Sequence, residues 1–189
     1  KYTGVGGIVA IPSTLAGFPV TSISKNAFYG CSSLTAINIP QGVVSIGENA
    51  FGSCQSLINI DVAGDNFNYS SINSMLFNKE GTILISCPAG LTTVSIPQGV
   101  ISIGDVAFYS SGVTNISIPQ EVTSIGMGAF SGCNGLTTIN IPKGVTSIGN
   151  EALTSCKSLT DITVDVDNLN YTSIRSEEHT SELQSPVRS

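Results

Sequence analysis

The sequence predicts a solenoid, a fold in which short repeated units stack along one axis, and three observations support it. First, the chain of 189 residues matches itself at a period of 23 residues. Second, each unit follows the pattern LxxIxIPxxVxSIGxxAFxxCxx, in which apolar positions recur at constant spacing. Third, a single unit cannot bury its own apolar residues, so neighbouring units must stack to form a core. A period and spacing of this kind are typical of a leucine-rich-repeat solenoid.

One apolar position of the unit keeps the same register along the chain. Its occupants are Ile37, Ile60, Val94, Ile116, Ile139 and Ile162. The isoleucines are separated by 23, 56, 23 and 23 residues, and the long interval contains the valine and one longer unit. We therefore expect these side chains to lie on neighbouring rungs of one parallel sheet and to face a shared core.

The copy that begins at Leu136 shows how the spacing predicts local structure. Ile139 and Ile141 alternate with polar residues, which is the period of a strand with one buried face. Pro142 then ends the strand, because proline offers no N–H to a ladder. The segment NEALTSC, residues 150–156, predicts a short helical or 3₁₀ turn. The fold class is thus a mostly β, β/α superhelix, with a parallel sheet on one face and helical or 3₁₀ turns on the other.

The five cysteines follow the repeat rather than a redox motif. Four of them share one slot of the unit, which Ser111 fills in a unit shortened by one residue: Cys31, Cys54, Cys133 and Cys156. We interpret them as a column of buried thiols that act as small apolar groups, with a disulfide between neighbouring units as the alternative. None forms a CxxC pair typical of zinc or redox sites. Cys87 lies outside the column and is the thiol that we expect to be exposed.

One segment, residues 65–90, interrupts the period. INSMLF and TILIS flank NKEG, which predicts a β-hairpin insertion closed by residues 78–81. The opening phrase DNFNYSSI recurs 102 positions later as DNLNYTSI, residues 167–174. A second hairpin would be expected there, but the residues that follow do not resemble the first one.

The last residues of the chain differ in composition from the repeats. Residues 175–189, RSEEHTSELQSPVRS, contain both arginines and the only histidine. We interpret them as foreign sequence that looks like translated adapter or vector material, and a natural disordered tail is the alternative. Residues 1–174 form the predicted repeat domain. The strand around Ile162 and Val164 has no following repeat, so we expect an unpaired edge that drives end-to-end homodimers or is covered by a folded tail.

These motifs resemble the BspA-like leucine-rich repeats of bacterial surface proteins. The resemblance covers residues 1–174 and rests on the repeated SIGxxAFxxC and LxxIxIP units, the opening IPSTLAGFPVTSISKNAF and the hairpin segment. It implies a right-handed, curved solenoid outside the cell, often linked to attachment to host proteins or other cells. The resemblance brings no catalytic residues with it.

The sequence offers little for chemistry. The single histidine, His179, lies in the suspect tail, which disfavours Ser–His and Cys–His nucleophilic pairs. We interpret Asp161, Asp165 and Asp167 as solvated turn residues, with a calcium site as the alternative. We therefore predict that the chain is not an enzyme, with no catalytic residues, no metal site and no cofactor.

The outward face of the predicted sheet is the candidate binding surface. Two columns of side chains should project from it, and their proposed ligand-binding members are Asn38, Asn59, Asp61, Ser95, Asn115, Ser117, Thr138, Asn140, Asp161 and Thr163. These residues are small and polar and include none of the Trp, Tyr or Arg anchors that dominate binding energy at interfaces. Solvation of a sheet is the alternative interpretation. Tyr29, Tyr69, Tyr109 and Phe67 are either better anchors or packing residues.

Composition limits the function classes. Only 11% of residues are charged and the net charge is −6, which disfavours a nucleic-acid partner. No apolar run approaches the roughly 18 residues of a membrane span. The first hypothesis is a cell-surface adhesion or protein-binding module that binds a host or neighbouring-cell surface protein. A passive spacer solenoid and a carbohydrate-binding module are the alternatives.

Overall fold

The computed structural model describes residues 2–4 and 6–175, and of Ile174 and Arg175 it describes the backbone alone. These residues form a β-solenoid of seven coils, which we number from the N-terminus. Each complete coil has a front strand from an LxxIxIP segment, a back strand and a corner that leads to the next coil. The 18 strands are β1 Gly7–Ala10, β2 Thr14–Leu15, β3 Phe18–Pro19, β4 Ser22–Ile23, β5 Leu34–Ile39, β6 Ser45–Ile46, β7 Asn59–Val62, β8 Tyr69–Ile72, β9 Met75–Asn78, β10 Ile83–Ser86, β11 Thr93–Ser95, β12 Ser102–Ile103, β13 Asn115–Ser117, β14 Ser124–Ile125, β15 Thr138–Ile141, β16 Ser147–Ile148, β17 Asp161–Val164 and β18 Ile174–Arg175.

The front sheet contains one strand from each coil, namely β1, β5, β7, β11, β13, β15 and β17. Its hydrogen-bonded strands are parallel and fall into three groups, β1-β5-β7, β11-β13 and β15-β17. Within these groups Ile37 pairs with Ile60, Val94 with Ile116, and Ile139 with Ile162. The predicted register of the repeat is therefore confirmed within each group.

The back sheet comes from the SIG segments and from the interrupting segment. Strands β4 and β6 pair in parallel, and β8, β9, β10, β12, β14 and β16 form a six-stranded sheet. Strands β9 and β10 are antiparallel and joined by a turn in which Gly81 N–H donates to the Asn78 carbonyl at 3.0 Å. The predicted hairpin is thus present. Because β10 also pairs in parallel with β12, the hairpin supplies the back strand of coil 3 rather than a separate insertion.

The corner is built from stacked turns, and the prediction of helical or 3₁₀ turns there is wrong for the described residues. Two positions of each complete corner, four residues apart, have a left-handed backbone, as at Asn49 (φ 57°) and Ser53 (φ 58°). A right-handed helix cannot continue through such residues. Instead, alternate N–H groups bond to the next coil, as Phe28 N–H does to the Ala50 carbonyl at 2.8 Å.

The core consists of columns of equivalent side chains in two clusters. Coils 1 to 3 share one cluster, and the other runs from Met75 to Ile162. Phenylalanines stack within each, with Phe28 and Phe51 ring centroids 5.7 Å apart and those of Phe108 and Phe130 4.8 Å apart. Stacking of aromatic rings in this range adds stability beyond burial of area.

The cysteine column exists, with Cys54 and Cys133 buried and Cys31 and Cys156 half-buried, and none of the five cysteines forms a disulfide. The thiols of Cys54, Cys133 and Cys156 donate to the phenylalanine carbonyl of an earlier coil, as Cys133 Sγ does to the Phe108 oxygen at 3.1 Å, whereas Cys31 Sγ donates to the Tyr2 carbonyl at 3.9 Å. The prediction for Cys87 is wrong, because its side chain is only 5% exposed. Cys87 N–H donates to the Ala107 carbonyl, as Phe108 N–H does to that of Ala129, so Cys87 occupies the buried phenylalanine position of coil 3.

The recurring DNxNY phrase closes the coil that precedes it. Asn66 is fully buried, and its side-chain NH₂ donates to the carbonyls of Pro40 and Val43, both at 3.0 Å. Its side-chain oxygen accepts from the N–H groups of Asn68 at 2.8 Å and Tyr69 at 2.9 Å. Asn168 makes the same four contacts in the second copy.

The edge of the C-terminal front strand is covered by the chain that follows it, which is one of the two outcomes expected from the sequence. Strand β18 runs antiparallel to β17 and pairs Arg175 with Asp161 and Ile174 with Ile162. Val164 N–H donates to the Ser173 hydroxyl at 2.9 Å, so the chain covers this edge itself. Apart from the backbone of Arg175, the predicted tail of residues 175–189 lies outside the described residues.

Candidate functional site

The front sheet presents the proposed ligand-binding residues on its outer face. Asn59 and Asp161 are half-buried, and the other members are exposed: Asn38, Asp61, Ser95, Asn115, Ser117, Thr138, Asn140 and Thr163. Neighbouring strands align them in the two expected columns, for example Asn38 beside Asp61.

The columns are interrupted in the middle of the sheet. Strands β7 and β11 are not hydrogen-bonded, because the chain between them forms β8, β9 and β10. Ser71 of β8 lies beside the front sheet, where its hydroxyl donates to the Asp61 carboxylate at 3.4 Å. Asp61 and Ser95 therefore belong to separate patches.

The structure extends the columns at the N-terminal end by two residues that we did not predict. Strand β1 pairs with β5 so that Ile8 lies beside Ala36 and Ala10 beside Asn38. Ile8 is 73% exposed, which gives this end of the face an apolar side chain. The sequence signal for this strand was the alternation in GGIVA, which is shorter than the alternating segment of the other copies.

Several polar groups of the face already bond to their neighbours. Thr163 Oγ1 donates to the side-chain oxygen of Asn140 at 3.0 Å, and Thr114 Oγ1 donates to that of Asn115 at the same distance. These bonds fix the orientation of the Asn140 and Asn115 side chains. The NH₂ group of each side chain then points to the side opposite the oxygen that accepts the bond. The face can thus offer pre-oriented hydrogen-bond donors to a partner.

The four aromatic residues singled out in the sequence have different roles. The Tyr69 hydroxyl accepts from Ile46 N–H at 3.0 Å, so Tyr69 completes the back sheet. Phe67 is 80% exposed. Tyr29 and Tyr109, which are far apart in sequence, meet at the corner with ring centroids 6.3 Å apart. The charge and hydrogen bond of Tyr29 raise the pKa of Tyr109.

The acidic residues and the thiols are occupied by structural contacts. Asp165 accepts from Asp167 N–H at 3.0 Å and from the Gln120 amide at 3.3 Å. Within residues 2–4 and 6–175, no group of three His, Cys, Asp or Glu side chains is placed to hold a metal ion. Burial raises the pKa of Cys87, and it raises that of Cys133 to about 12, so these thiols stay protonated at neutral pH.

The corner has one gap, in coil 3. Leu84 pairs with Ile103 in the back sheet, and Cys87 occupies the position of Phe108. Cys87 follows Leu84 by three residues, whereas Phe108 follows Ile103 by five. The two missing residues leave a cavity of about 60 Å³. We call it the notch; its walls are residues 46–52 of coil 2, Leu76, Ile85 and Ser86 of coil 3, and Asp105 and Val106 of coil 4.

The walls of the notch carry polar groups that are paired at the corners of coils 1, 4 and 5. Asn26 and Phe28 of coil 1 donate their N–H groups to coil 2 at 3.2 and 2.8 Å. The equivalent N–H groups of Asn49 and Phe51 have no partner in the described part of the chain. The buried side-chain oxygen of Asn49 also has none there.

Comparison with known proteins identifies the repeats. The model of the BspA type leucine rich repeat region matches residues 10–95 and 83–185, with six copies. No curated protein sequence matches the chain. Among the described residues, no helix has the length and apolar character needed to cross a membrane.

Several solved structures share the fold. A leucine-rich repeat protein from Eubacterium ventriosum is 34% identical with a TM-score of 0.73, over 84% of this chain and 42% of that one. A leucine rich cell surface protein from Faecalibacterium prausnitzii is 26% identical with a TM-score of 0.53, over 83% and 53%. The pneumococcal vaccine antigen PcpA is 22% identical with a TM-score of 0.65, over 82% and 45%, and shows likeness of fold alone.

The chain spans less than half the length of the E. ventriosum protein. The family model nevertheless covers most of the chain. The chain therefore belongs to the BspA-type leucine-rich-repeat family.

Proposed function

We propose that the chain is a non-enzymatic binding module displayed on a bacterial cell surface, where the front sheet docks a protein of a host or a neighbouring cell. The observation that carries this proposal is the pair of registered columns of small, mostly exposed polar side chains on that sheet. A surface of this kind favours hydrogen bonding to another protein over the enclosed, water-free site that most catalysis needs.

Family membership supports the proposed location and class. The F. prausnitzii relative is a cell surface protein by name, and solenoids commonly bind partners along an extended face. This chain spans 42% of the E. ventriosum protein and 53% of the F. prausnitzii protein. What a longer protein of this kind does is therefore part of the proposal.

The size of the front sheet predicts weak binding. Seven strands at about 4.8 Å spacing and about 17 Å length give a face of roughly 500 Å². A standard interface buries about 800 Å² on each partner. We therefore expect useful strength to come from further coils or from many copies on one surface.

Surface plasmon resonance on immobilised matrix and plasma proteins tests the proposal. The chain should bind at least one of them in a salt-tolerant way. Ser117→Lys on the front sheet should reduce that binding at least tenfold, whereas Thr123→Lys, at an exposed position of the same coil before the back strand, should not. Flat responses across the panel would favour the passive spacer, and a response to a glycan panel alone would favour carbohydrate binding.

The end-to-end homodimer also stays a prediction. Strand β18 covers part of the β17 edge, so association through that edge must involve the remaining groups of the C-terminal coil. Light scattering over a concentration series measures it. A constant monomer mass would refute it.

A further inference from the structure

The notch interrupts a hydrogen-bond pattern that the other corners repeat. At coil 1 the Asn26 N–H donates to the Glu48 carbonyl of coil 2 at 3.2 Å. At coil 4 the Val106 N–H donates to the Met127 carbonyl of coil 5 at 2.9 Å. At coil 5 a single peptide group does both, because the Met127 carbonyl accepts from coil 4 and the Gly128 N–H donates to the Asn150 carbonyl of coil 6 at 2.9 Å.

A single peptide group would complete this pattern at coil 3. The carbonyl and N–H of a trans peptide point in opposite directions, so one group can reach both neighbours. Its carbonyl would accept from Asn49 N–H of coil 2. Its N–H would donate to the Asp105 carbonyl of coil 4, which has no partner among the residues that the structure describes.

We propose that the notch binds one secondary amide of an extended peptide segment from a protein partner, between Asn49 of coil 2 and Asp105 of coil 4. Coils are about 4.8 Å apart, so coils 2 and 4 are separated by about two spacings, which leaves the thickness of one backbone between them. The cavity of about 60 Å³ is several times the minimum for one water molecule.

The charges and polar groups around the notch favour a neutral amide. A row of N–H groups alone would also attract an anion. The Asp105 carboxylate belongs to a lining residue and disfavours an anion by repulsion, whereas the Glu48 carboxylate is paired with the Lys25 ammonium group. The unpartnered Asn49 side-chain oxygen adds an acceptor that a further N–H of a peptide can satisfy. A peptide carries both donors and acceptors at the required spacing.

Side chains on either side of the gap help to define the site. The Gln55 amide of coil 2 reaches past coil 3 to the Ser110 carbonyl of coil 4 at 2.7 Å. Tyr29 of coil 1 and Tyr109 of coil 4 are in contact at the same corner. The Gln55 bond links the two coils that border the gap, and the tyrosine contact links coil 1 to coil 4 across it. The site lies away from the front sheet, and the inference does not depend on the proposed function.

Titration with N-acetylglycine N-methylamide, followed by ¹H–¹⁵N NMR of the whole chain, tests the proposal. The amide resonances of Asn49 and Phe51 should shift in a saturable way, with a Kd on the order of millimolar. The resonances of Asn26 and Phe28 should not move, because those N–H groups already bond to coil 2. They are a control within the same molecule.

Two comparisons separate peptide binding from other causes. The diester analogue methyl acetoxyacetate, which has an oxygen in place of both N–H groups, should bind at least threefold more weakly. Insertion of Gly-Asp between Leu84 and Ile85 gives the stretch from Leu84 to Cys87 the five-step spacing of coil 4 and should abolish the shifts. Absence of saturable shifts at Asn49 and Phe51 would mean that the notch holds water alone and would overturn the proposal, as would equal shifts at Asn26 and Phe28. If the inserted variant does not fold, the ester comparison decides, and equal affinity for the two probes would refute the donor to Asp105.

Discussion

Replacing Asn66 by alanine should remove the polar anchor that joins coils 2 and 3. The Asn66 side chain makes four hydrogen bonds, all to backbone groups and all between 2.8 and 3.0 Å. Two of the partners are the carbonyls of Pro40 and Val43, which belong to the turn after the front strand of coil 2. The other two are N–H groups of the segment that leads into β8.

The magnitude follows from the number of bonds. A buried intramolecular hydrogen bond contributes about 1 kcal/mol net, so four of them amount to about 4 kcal/mol. Asn66 is 0% exposed, and water therefore cannot replace the lost partners without local opening. For a chain of this size, each kcal/mol lowers the Tm by roughly 2–4 °C, which gives an expected decrease of about 8–16 °C.

Urea denaturation followed by circular dichroism measures the effect. With a typical slope of about 1–3 kcal/mol/M, the midpoint of Asn66→Ala should fall by more than about 1 M. Asn68→Ala is the matched control, because Asn68 belongs to the same motif, is exposed and uses only its backbone N–H. Its midpoint should change by less than about 0.3 M, as is usual for a surface substitution.

The comparison can fail in a way that refutes the reasoning. If Asn66→Ala and Asn68→Ala have the same midpoint, the four bonds contribute no net stability. Asn168→Ala repeats the test in the second copy, where the equivalent bonds are 2.8 to 3.1 Å long. A loss at Asn66 without one at Asn168 would show that the motif stabilises only the junction inside the solenoid.

Three further outcomes are expected. Tyr171→Phe removes the hydroxyl that accepts from the back strand at 3.1 Å and should cost about 1–2 kcal/mol in urea denaturation, and an unchanged midpoint would contradict its structural role. Gly149→Ala places a Cβ 2.4 Å from a backbone nitrogen of the preceding coil and should lower the Tm, whereas Gly64→Ala, which meets nothing within 4 Å, should lower it less. Burial raises the pKa of Cys133 from 9.0 to about 12, so between these pH values the thiol is protonated in the folded chain and deprotonated in the unfolded chain. Stability should therefore fall as the pH rises from about 9 to 12. Cys133→Ala should flatten that decline in urea midpoints measured across the range, and an identical decline would contradict the assignment.

The repeat pattern predicted the fold well because it encodes register directly. Ile37 and Ile60 pair as expected, and the cysteine column and the hairpin between Met75 and Ser86 are present. An apolar side chain at a constant position must be buried by the next coil, so spacing alone identifies its neighbour.

The errors have a common physical origin, which is that local sequence does not report bonds between coils. Val106 and Ser110 adopt a left-handed backbone that is uncommon for residues other than glycine, and their N–H groups bond to the next coil. Stacking imposes it, because only that conformation directs alternate N–H groups at the next coil. A helical turn was predicted there for lack of this information.

The same limit applies to the candidate sites. Between Leu84 and Cys87 the chain is two residues shorter than the equivalent stretch of coil 4, but this difference could be recognised only once both positions were aligned with coil 4 in space. Cys87 was expected to be exposed for the same reason. The contact of Tyr29 in coil 1 with Tyr109 in coil 4 likewise arises because the corner of coil 3, which lies between them, is shortened.

The sequence by itself determined the solenoid, its period and the side chains that share a rung, since each of these follows from apolar residues at fixed intervals. The tertiary structure decided the conformation of the corner, the burial of Cys87, the covered C-terminal strand and the notch. These features depend on hydrogen bonds between backbone groups of different coils, and such groups are the same in every residue and carry no signature in the sequence.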